Sequence, residues 1–315
     1  MLKYLLKRLL ALLPVLIGVS ILVFLILHLS PGDPAQIILG PKATQQSLDA
    51  LRHQLGLDLP LHRQYFQWIT NVLKGDWGRS IQLKREVLPL VITRFKATAI
   101  LTVFAAFIAV SFGMLAGIIS ATRQYSFSDR FLMFMALVGF CLPVFWLGLI
   151  LQIIFGLKLG WLPVSGMYPP GQTGFGSMLP FLILPGISLA TGSMAEIARM
   201  TRSSMLEVIR QDYVRTAKAK GLSQRIVTYK HALRNALIPI VTVVGMQIGF
   251  LLSGAVLVEI VFAWPGIGTL MVNGILARDF PLVQGTILFV ATTYVFVNLI
   301  VDVVYAFLDP RISYN

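Results

Sequence analysis

Long apolar blocks separated by polar connections dominate the hydrophobic pattern of the chain. Six blocks have 20 or more residues each: Leu9–Leu29, Ala97–Ile119, Phe131–Leu157, Leu179–Ala198, Leu237–Val258 and Val283–Leu308. A helix of about 20 residues is about 30 Å long, which matches the hydrocarbon core of a bilayer. Prolines inside the blocks (Pro14, Pro143, Pro185) are compatible with membrane helices, where neighbouring groups satisfy the freed carbonyls. The pattern predicts an all-α membrane protein with six transmembrane helices.

The blocks divide the chain into four parts. We predict a cytoplasmic tip with the first transmembrane helix over 1–30, an extracytoplasmic helical segment over 31–96, a five-helix membrane core over 97–308 and a cytoplasmic tail over 309–315. Within the core, the connection 199–236 is unusually long, and long connections in compact proteins are usually functional. The first block resembles a signal peptide, but no small-x-small cleavage site ends it, so we interpret it as an uncleaved span.

Lys and Arg are distributed unevenly between the two sides of the predicted bundle. With a cytoplasmic N-terminus, the inner connections and termini carry fifteen of them, and the short outer connections carry only Lys158 and Arg278. This is the positive-inside bias of membrane proteins, from which long outer segments are exempt. Both termini are therefore predicted to be cytoplasmic. The same bias explains the net charge of +13 without a nucleic-acid partner.

Composition and motifs exclude a soluble enzyme. Apolar residues make up 57% of the chain and charged residues 12%, about half of the charged fraction of soluble domains. The single cysteine, Cys141, lies in an apolar block, and we interpret it as a buried, inert thiol. The sequence has no P-loop, HExxH, GxSxG or Cys/His cluster. We therefore predict no enzymatic activity, no bound metal and no cofactor on this chain.

Without an ATP-binding motif, transport by this chain must be powered by a partner or by an ion gradient. Ion-coupled carriers usually place ionisable residues near the middle of the membrane. Here only Glu196 and Asp302 come into question, and both lie near inner helix ends. An ion-coupled carrier is therefore disfavoured. A stand-alone ion-coupled or passive transporter stays the alternative to a powered permease, and a non-transporting membrane scaffold is a second one.

Small residues recur at every fourth position in two blocks. They are Ala105, Ala109, Gly113, Gly117 and Ala121 in the second block, and Gly245, Gly249 and Ser253 in the fifth. Such ridges let helices approach closely where lipid offers no hydrophobic driving force for association. Packing within the chain's own bundle is the simpler interpretation, and an interface with a second membrane subunit is the alternative.

The outer segment carries a helical pattern of its own. Apolar residues follow helical spacing before Gly56 and again before Gly75, which act as helix stops: Leu48, Leu51, Leu55, Tyr65, Phe66, Ile69, Val72 and Leu73. We predict a small helical cap that lies on the outer mouth of the bundle.

The inner connection also contains a short predicted helix. It covers Asp212–Lys220 and ends at Gly221, with an acid at its start that complements the helix dipole. Ala217 and Gly221 leave one face small and smooth, as a helix that docks in a partner's groove requires. The alternative is an amphipathic helix that rests on anionic lipid through its lysines.

These residues carry a resemblance. The stretch from Asp212 to Thr242, DYVRTAKAKGLSQRIVTYKHALRNALIPIVT, resembles the coupling loop of binding-protein-dependent ABC importer permeases. It is most similar to the N-terminal-type permease of the branch that imports dipeptides, oligopeptides, nickel chelates and glutathione. Further stretches agree with that branch: LSPGDPA (29–35), LGLDLPLHRQY (55–65), GDWGRS (75–80), VFAWPGIG (261–268), RDFPLVQG (278–285) and LDPRISY (308–314). The chain departs from the loop pattern Glu-Ala-Ala-x-x-x-Gly at Arg215 and Thr216.

The resemblance implies the fold, the function and the partners. The fold is that of type I ABC importer permeases (MetI-like), and the chain is a permease subunit in the bacterial cytoplasmic (inner) membrane. Its partners are a second homologous permease subunit, in a heterodimer, two ATP-binding subunits that hold ATP and Mg²⁺, and an extracytoplasmic solute-binding protein. The residues implied in coupling to the ATPases are Asp212, Thr216, Ala217, Lys218, Ala219 and Gly221. No residue of the substrate path is assigned.

Overall fold

A computed structural model describes residues 2–29, 34–40, 43–54 and 56–308. The predicted tail, 309–315, lies outside the described residues. The helices are α1 (Leu2–Leu29), α2 (Pro34–Leu39), α3 (Gln45–Gln54), α4 (Leu61–Leu73), α5 (Val87–Thr122), α6 (Phe127–Cys141), α7 (Val144–Leu151), α8 (Phe175–Ile209), α9 (Asp212–Ala219), α10 (Gln224–Ile226), α11 (Arg234–Val261), α12 (Ile267–Leu276) and α13 (Phe280–Leu308). Two π-helical segments, Gln152–Lys158 and Val227–Leu233, follow α7 and α10.

The chain folds as two compact units. One contains Met1–Lys96 and Thr269–Phe296, and the other contains Ala97–Gly268 and Val297–Asn315. Among the described residues the regular structure is helical, apart from an isolated β-bridge between Arg79 and Glu86. The predicted all-α class is therefore confirmed.

The apolar blocks correspond to long helices. In the described part of the chain, four helical stretches are long and apolar enough to cross a membrane: Val87–Thr122, Phe175–Ile209, Gln224–Val261 and Phe280–Val301. The pair of helices on the third block gives a fifth if it is counted as one span, and the first block contains a shorter apolar helix, Leu10–Leu25.

The third apolar block, which was predicted to be one span, is divided into two helices. The helix axis bends by 107° between Phe127–Cys141 and Val144–Lys158, and the break lies at Leu142 and Pro143. Both residues have extended backbone conformations, with ψ of 129° and 131°. Proline has no N–H to donate, and its ring disfavours helical geometry in the preceding residue, so the helix ends before it. Pro14 and Pro185, in contrast, lie inside continuous helices, as predicted.

Helix α8 runs through the apolar core of the unit that contains 97–268, where it packs with α5 and α11. The small-residue ridge of α5 belongs to this packing. A Cβ atom at Gly113 would lie 2.8 Å from the carbonyl oxygen of Met194, and one at Gly117 would lie 2.5 Å from Cβ of Thr201. Packing within the chain's own bundle is therefore confirmed for the α5 ridge.

In the same unit, the VFAWPGIG motif folds around the buried carboxylate of Glu259. Thr98 Oγ1 donates to Glu259 Oε1 at 2.5 Å, and the Gly268 N–H donates to Oε2 at 2.8 Å. The indole N–H of Trp264 donates to the carbonyl of Ala97 at 3.0 Å. These bonds hold the end of α11 against the first turns of the membrane part of α5.

In the other unit, the GDWGRS and RDFPLVQG motifs meet at the buried carboxylate of Asp279. Its Oδ2 accepts hydrogen bonds from Ser80 Oγ at 2.5 Å and from the Gln82 N–H at 3.1 Å. Its Oδ1 accepts from the Leu282 N–H at 3.3 Å and thereby caps the start of α13. The carboxylate thus ties the turn after Ser80 to α13.

The predicted helices of the outer segment are present as α3 and α4. The glycines that follow them, Gly56 and Gly75, have φ of +68° and +91°, a conformation that glycine adopts without steric cost. Leu55, one of the predicted apolar positions, lies outside the described residues. The position of these helices over the mouth of the bundle stays a prediction.

Candidate functional site

The predicted helix of the inner connection is present as α9, Asp212–Ala219. It begins directly after α8, which ends at Ile209. Asp212 stands in the first turn, as predicted, and its carboxylate lies 3.7 Å from Arg215. Both side chains of that pair are highly exposed, so the ion pair adds little to stability.

One side of α9 is covered by the chain itself. Val214 is fully buried and Ala217 is 7% exposed, and both pack in a small cluster with Val227 and Val208. Ala217 therefore faces the chain's own helices, whereas its sequence context had suggested an open docking face. The physical reason is the return segment after Gly221, which lays Val227 against the small side of α9.

The other side of α9 is open. Of the residues implied in coupling, Asp212, Thr216, Ala219 and Gly221 are exposed. Thr216 Oγ1 donates to the Asp212 carbonyl at 3.0 Å, within the helix. The side chain of Lys218 lies outside the described ones. The structure thus brings four of the six predicted residues to the accessible part of the segment and places Ala217 behind them.

Gly221 ends the helix with the conformation that its position requires. Its φ is +78°, and the Leu222 N–H donates to the Ala217 carbonyl at 3.4 Å. A left-handed residue followed by this longer bond is the Schellman type of helix end, for which glycine is preferred. A Cβ atom at Gly221 would meet nothing within 4 Å. Substitution there would therefore strain the backbone without causing a clash in the chain itself.

The return segment joins α9 to the start of α11. Asn235 Nδ2 donates to the hydroxyl of Tyr213 at 2.7 Å on the surface. Below it, Ala232 and Ala236 pack against Met205 of α8 in a second small apolar cluster. Sequence reasoning missed Val214, Val227 and the Tyr213–Asn235 bond as parts of this attachment. The apolar pair at positions 214 and 217, spaced three apart, was the available signal.

Just before α9, helix α8 is tied to two other helices. Arg202 donates from Nε to Asp129 Oδ1 at 2.7 Å and from a terminal guanidinium nitrogen to Oδ2 at 2.9 Å. Ser120 Oγ also donates to this carboxylate, as does the Tyr125 N–H at 2.9 Å. Asp129 is buried at the start of α6, and Ser120 lies near the end of α5. A bidentate, charge-assisted pair of this kind is strong and directional.

The accessible residues of α9 form an exposed surface on the inner connection. The described residues contain no group of three His, Cys, Asp or Glu side chains that could hold a metal ion. What the segment offers is a short, exposed helix that is connected through α8 to the ends of α5 and α6.

Comparison with known proteins identifies the type of protein. The family described as "Binding-protein-dependent transport system inner membrane component" matches residues 113–314, and the family described as its N-terminal membrane component matches residues 1–102. The chain belongs to this family. The resemblance inferred from the coupling loop and the other motifs is thereby confirmed.

Two curated relatives of this permease match over their full length. The dipeptide transport system permease protein DppB of Alkalihalophilus pseudofirmus is 47% identical, with both chains fully covered. The glutathione transport system permease protein GsiC of Escherichia coli K12 is 45% identical over 315 residues, again with both chains fully covered.

Two solved structures share the fold of the permease. An inward-facing crystal form of the MetNI methionine ABC transporter matches with a TM-score of 0.58 and 16% identity, covering 71% of this chain and 98% of that one. An amino acid ABC transporter with histidines matches with a TM-score of 0.51 and 17% identity, covering 71% and 94%. The predicted MetI-like permease fold is confirmed.

Proposed function

We propose that the chain is the membrane-spanning subunit of an ATP-binding cassette importer for peptides or a related small solute, such as glutathione or a nickel chelate. The observation that carries this proposal is the similarity over the whole chain to permeases named for dipeptide and glutathione transport. Two separate sites also support the proposal. The motif folded around Glu259 and the motifs that meet at Asp279 lie in stretches that resemble the permeases of the peptide branch.

The importer would contain several other chains. We propose a second, related permease subunit, with the translocation path between the two, two ATP-binding subunits inside, and a solute-binding protein outside. ATP and Mg²⁺ would bind to the ATPase subunits and not to this chain. The complex would lie in the bacterial inner membrane with both termini of this chain in the cytoplasm. ATP drives such a cycle because it binds two global states of the complex with different affinities.

Within that complex, the exposed side of α9 would dock on an ATP-binding subunit. The residues proposed for contact are Asp212, Thr216, Ala219, Lys218 and Gly221. Ala217 would contribute indirectly and not by contact with the ATPase, because its small side chain lets α9 pack closely against Val227. Closure of the ATPase pair would then move α9 and, through the tie at Arg202, the membrane helices.

A substitution on the open side tests the docking proposal. Ala219→Arg should lower substrate uptake at least tenfold and weaken co-purification of the ATPase subunits, because a bulky charge in a protein groove is desolvated without a partner. Ala219→Ser, which adds only a hydroxyl, is the matched control and should keep uptake. If α9 rested on lipid instead, Lys218→Gln with Lys220→Gln would be the damaging pair. Full uptake and intact assembly in Ala219→Arg would contradict docking.

Reconstitution separates a powered permease from a stand-alone transporter. The complete complex in liposomes should take up a peptide substrate only with internal ATP and the external binding protein. This chain alone should neither transport nor hydrolyse ATP. Uptake by the chain alone would favour the ion-coupled or passive alternative.

A further inference from the structure

Helix α4 is attached to α1 by aromatic side chains. The hydroxyls of Ser20 and Tyr65 are hydrogen-bonded at 2.7 Å. The Phe24 ring lies 5.5 Å from the Tyr65 ring in an edge-on arrangement and 6.0 Å from the Trp68 ring. Both helices belong to the same compact unit. The contact side of α4 thus consists of half-buried residues at helical spacing.

These contacts place α4 at a defined level of the membrane. The apolar block on α1 ends at Leu29, nine residues after Ser20 and five after Phe24. At about 1.5 Å per residue, the two contact points lie about 14 Å and 8 Å inside the end of the block. If this block spans the membrane as predicted, an element bound at these points lies at the level of the leaflet nearer Leu29.

The two flanks of α4 beside the contact side have opposite character. On a helix, residues at positions i, i+3 or i+4, and i+7 lie on the same side and form a stripe. One flank carries Phe66, Ile69 and Leu73, and the opposite flank carries Gln64, Gln67 and Asn71. Phe66 is 65% and Leu73 is 82% exposed. The apolar flank is therefore open in the chain itself, at the level of the apolar block of α1.

Charge agrees with this orientation. From Leu59 to Gly75 the chain has no acidic residue, and Arg63 and Lys74 stand near the two ends of the helix. On the polar flank, Gln64 Nε2 donates to the carbonyls of Leu57 and Leu59, which ties that flank to the preceding turn. Helices with an apolar flank, a polar flank and basic residues lie in the plane of a membrane interface, where Tyr and Trp are also enriched.

We propose that α4 is an interfacial helix whose apolar flank is immersed in the lipid leaflet nearer Leu29, the outer leaflet in the predicted orientation. Phe66, Ile69 and Leu73 contact acyl chains, and Gln67 and Asn71 face water. The helix thereby anchors the segment between α1 and α5 to the bilayer. Lipid thus covers the apolar flank of α4. In this proposal α4 does not serve as the cap over the outer mouth that the sequence suggested.

Lipid-borne quenchers test this placement in the complete complex. With Cys141→Ser as background, single cysteines at Phe66→Cys and Leu73→Cys would carry a fluorophore in nanodiscs that contain nitroxide lipids. We expect quenching severalfold stronger at these positions than at the matched positions Gln67→Cys and Asn71→Cys. A hydrophilic maleimide should react in the reverse order. The background replacement is needed because Cys141 is itself an exposed free thiol. The prediction that it is buried was wrong, because an apolar residue of a membrane helix can lie on the outer surface of the chain.

Two outcomes would overturn the proposal. Equal quenching and equal maleimide reactivity at all four positions would place the apolar flank in water. Strong protection from maleimide at 66 and 73 without quenching by nitroxide lipids would show that a protein surface covers the flank. If that protection appeared only with the loaded binding protein, the covering protein would be identified as well. Neither outcome depends on whether the complex transports peptides.

Discussion

Arg202 and Asp212 are ten residues apart, and the regions around them are held in very different ways. At Arg202 a buried carboxylate receives a bidentate guanidinium, a hydroxyl and a backbone N–H from other parts of the chain. Among the described side chains around Asp212–Ala219, the attachment includes a cluster of small aliphatic side chains and a surface hydrogen bond between Asn235 and Tyr213. The end of α8 is thus firmly bound, and α9 is lightly bound.

This difference agrees with the proposed role of α9 in transmitting motion from the ATP-binding subunits. Regions with few buried apolar contacts open locally at low free energy, whereas regions with dense, satisfied contacts open only with the whole domain. A lightly held α9 can adjust to a partner surface without unfolding the bundle. Under the proposed coupling role, the firm tie at Arg202 would then pass the displacement to α5 and α6, because a bidentate pair fixes both distance and direction.

The largest effect is expected at the firm tie. Arg202→Leu removes the guanidinium and leaves the Asp129 carboxylate buried, which should cost about 3–5 kcal/mol of stability. Thermal unfolding of the purified complex in detergent measures the loss. The double variant Arg202→Leu with Asp129→Asn is the matched control and should recover part of the loss, because the neutral amide removes the buried charge and keeps an oxygen that can accept from the Tyr125 N–H. A single variant as stable as the parent would show that the tie is not firm.

The two regions also differ in how far the sequence predicted them. Helix α9 was predicted with its bounds nearly correct, because its signals are local: an acid in the first turn and a glycine at the end. The side toward which Ala217 faces was not predicted correctly. It depends on Val227, which reaches α9 only after the chain turns back. The tie at Arg202 joins positions 73 residues apart, and Arg202 had counted only as one of many basic residues on the inner side.

The break in the third apolar block teaches the same lesson. Pro14, Pro143 and Pro185 stand in similar apolar surroundings along the chain, yet only Pro143 interrupts its helix. Whether a proline bends or breaks a membrane helix depends on whether neighbouring groups satisfy the backbone carbonyls that the proline leaves without a donor. Next to this break, the hydroxyl of Ser188 in α8 donates to the carbonyl of Val144, the first residue of α7. This contact joins distant parts of the chain and has no local signal.

A moderate effect is expected in the cluster that holds α9. Val214→Ala removes two methyl groups from a fully buried position, which should cost about 1–2 kcal/mol. Since α9 is lightly held, the loss should appear as faster amide exchange of α9, about tenfold, with little change in the unfolding temperature. Amides in the middle of α8 serve as the internal control. Equal acceleration in both helices would mean that α9 and α8 open together and that the contrast between them is false.

The smallest effect is expected at the surface bond between Asn235 and Tyr213. Tyr213→Phe keeps the ring and removes only the hydroxyl that accepts from Asn235 Nδ2. Exposed hydrogen bonds exchange readily with water, so the cost should be about 0.5 kcal/mol, and Asn235 keeps its bond to the His231 carbonyl at 3.2 Å. Exchange of α9 should rise less than threefold, and uptake per ATP hydrolysed should stay unchanged. Tyr213→Ala, which also removes the ring, separates the hydroxyl from the packing. A large drop of the uptake ratio in Tyr213→Phe, with assembly intact, would mean that this bond sets the angle of α9 against its partner and that α9 is held more strictly than its few contacts indicate.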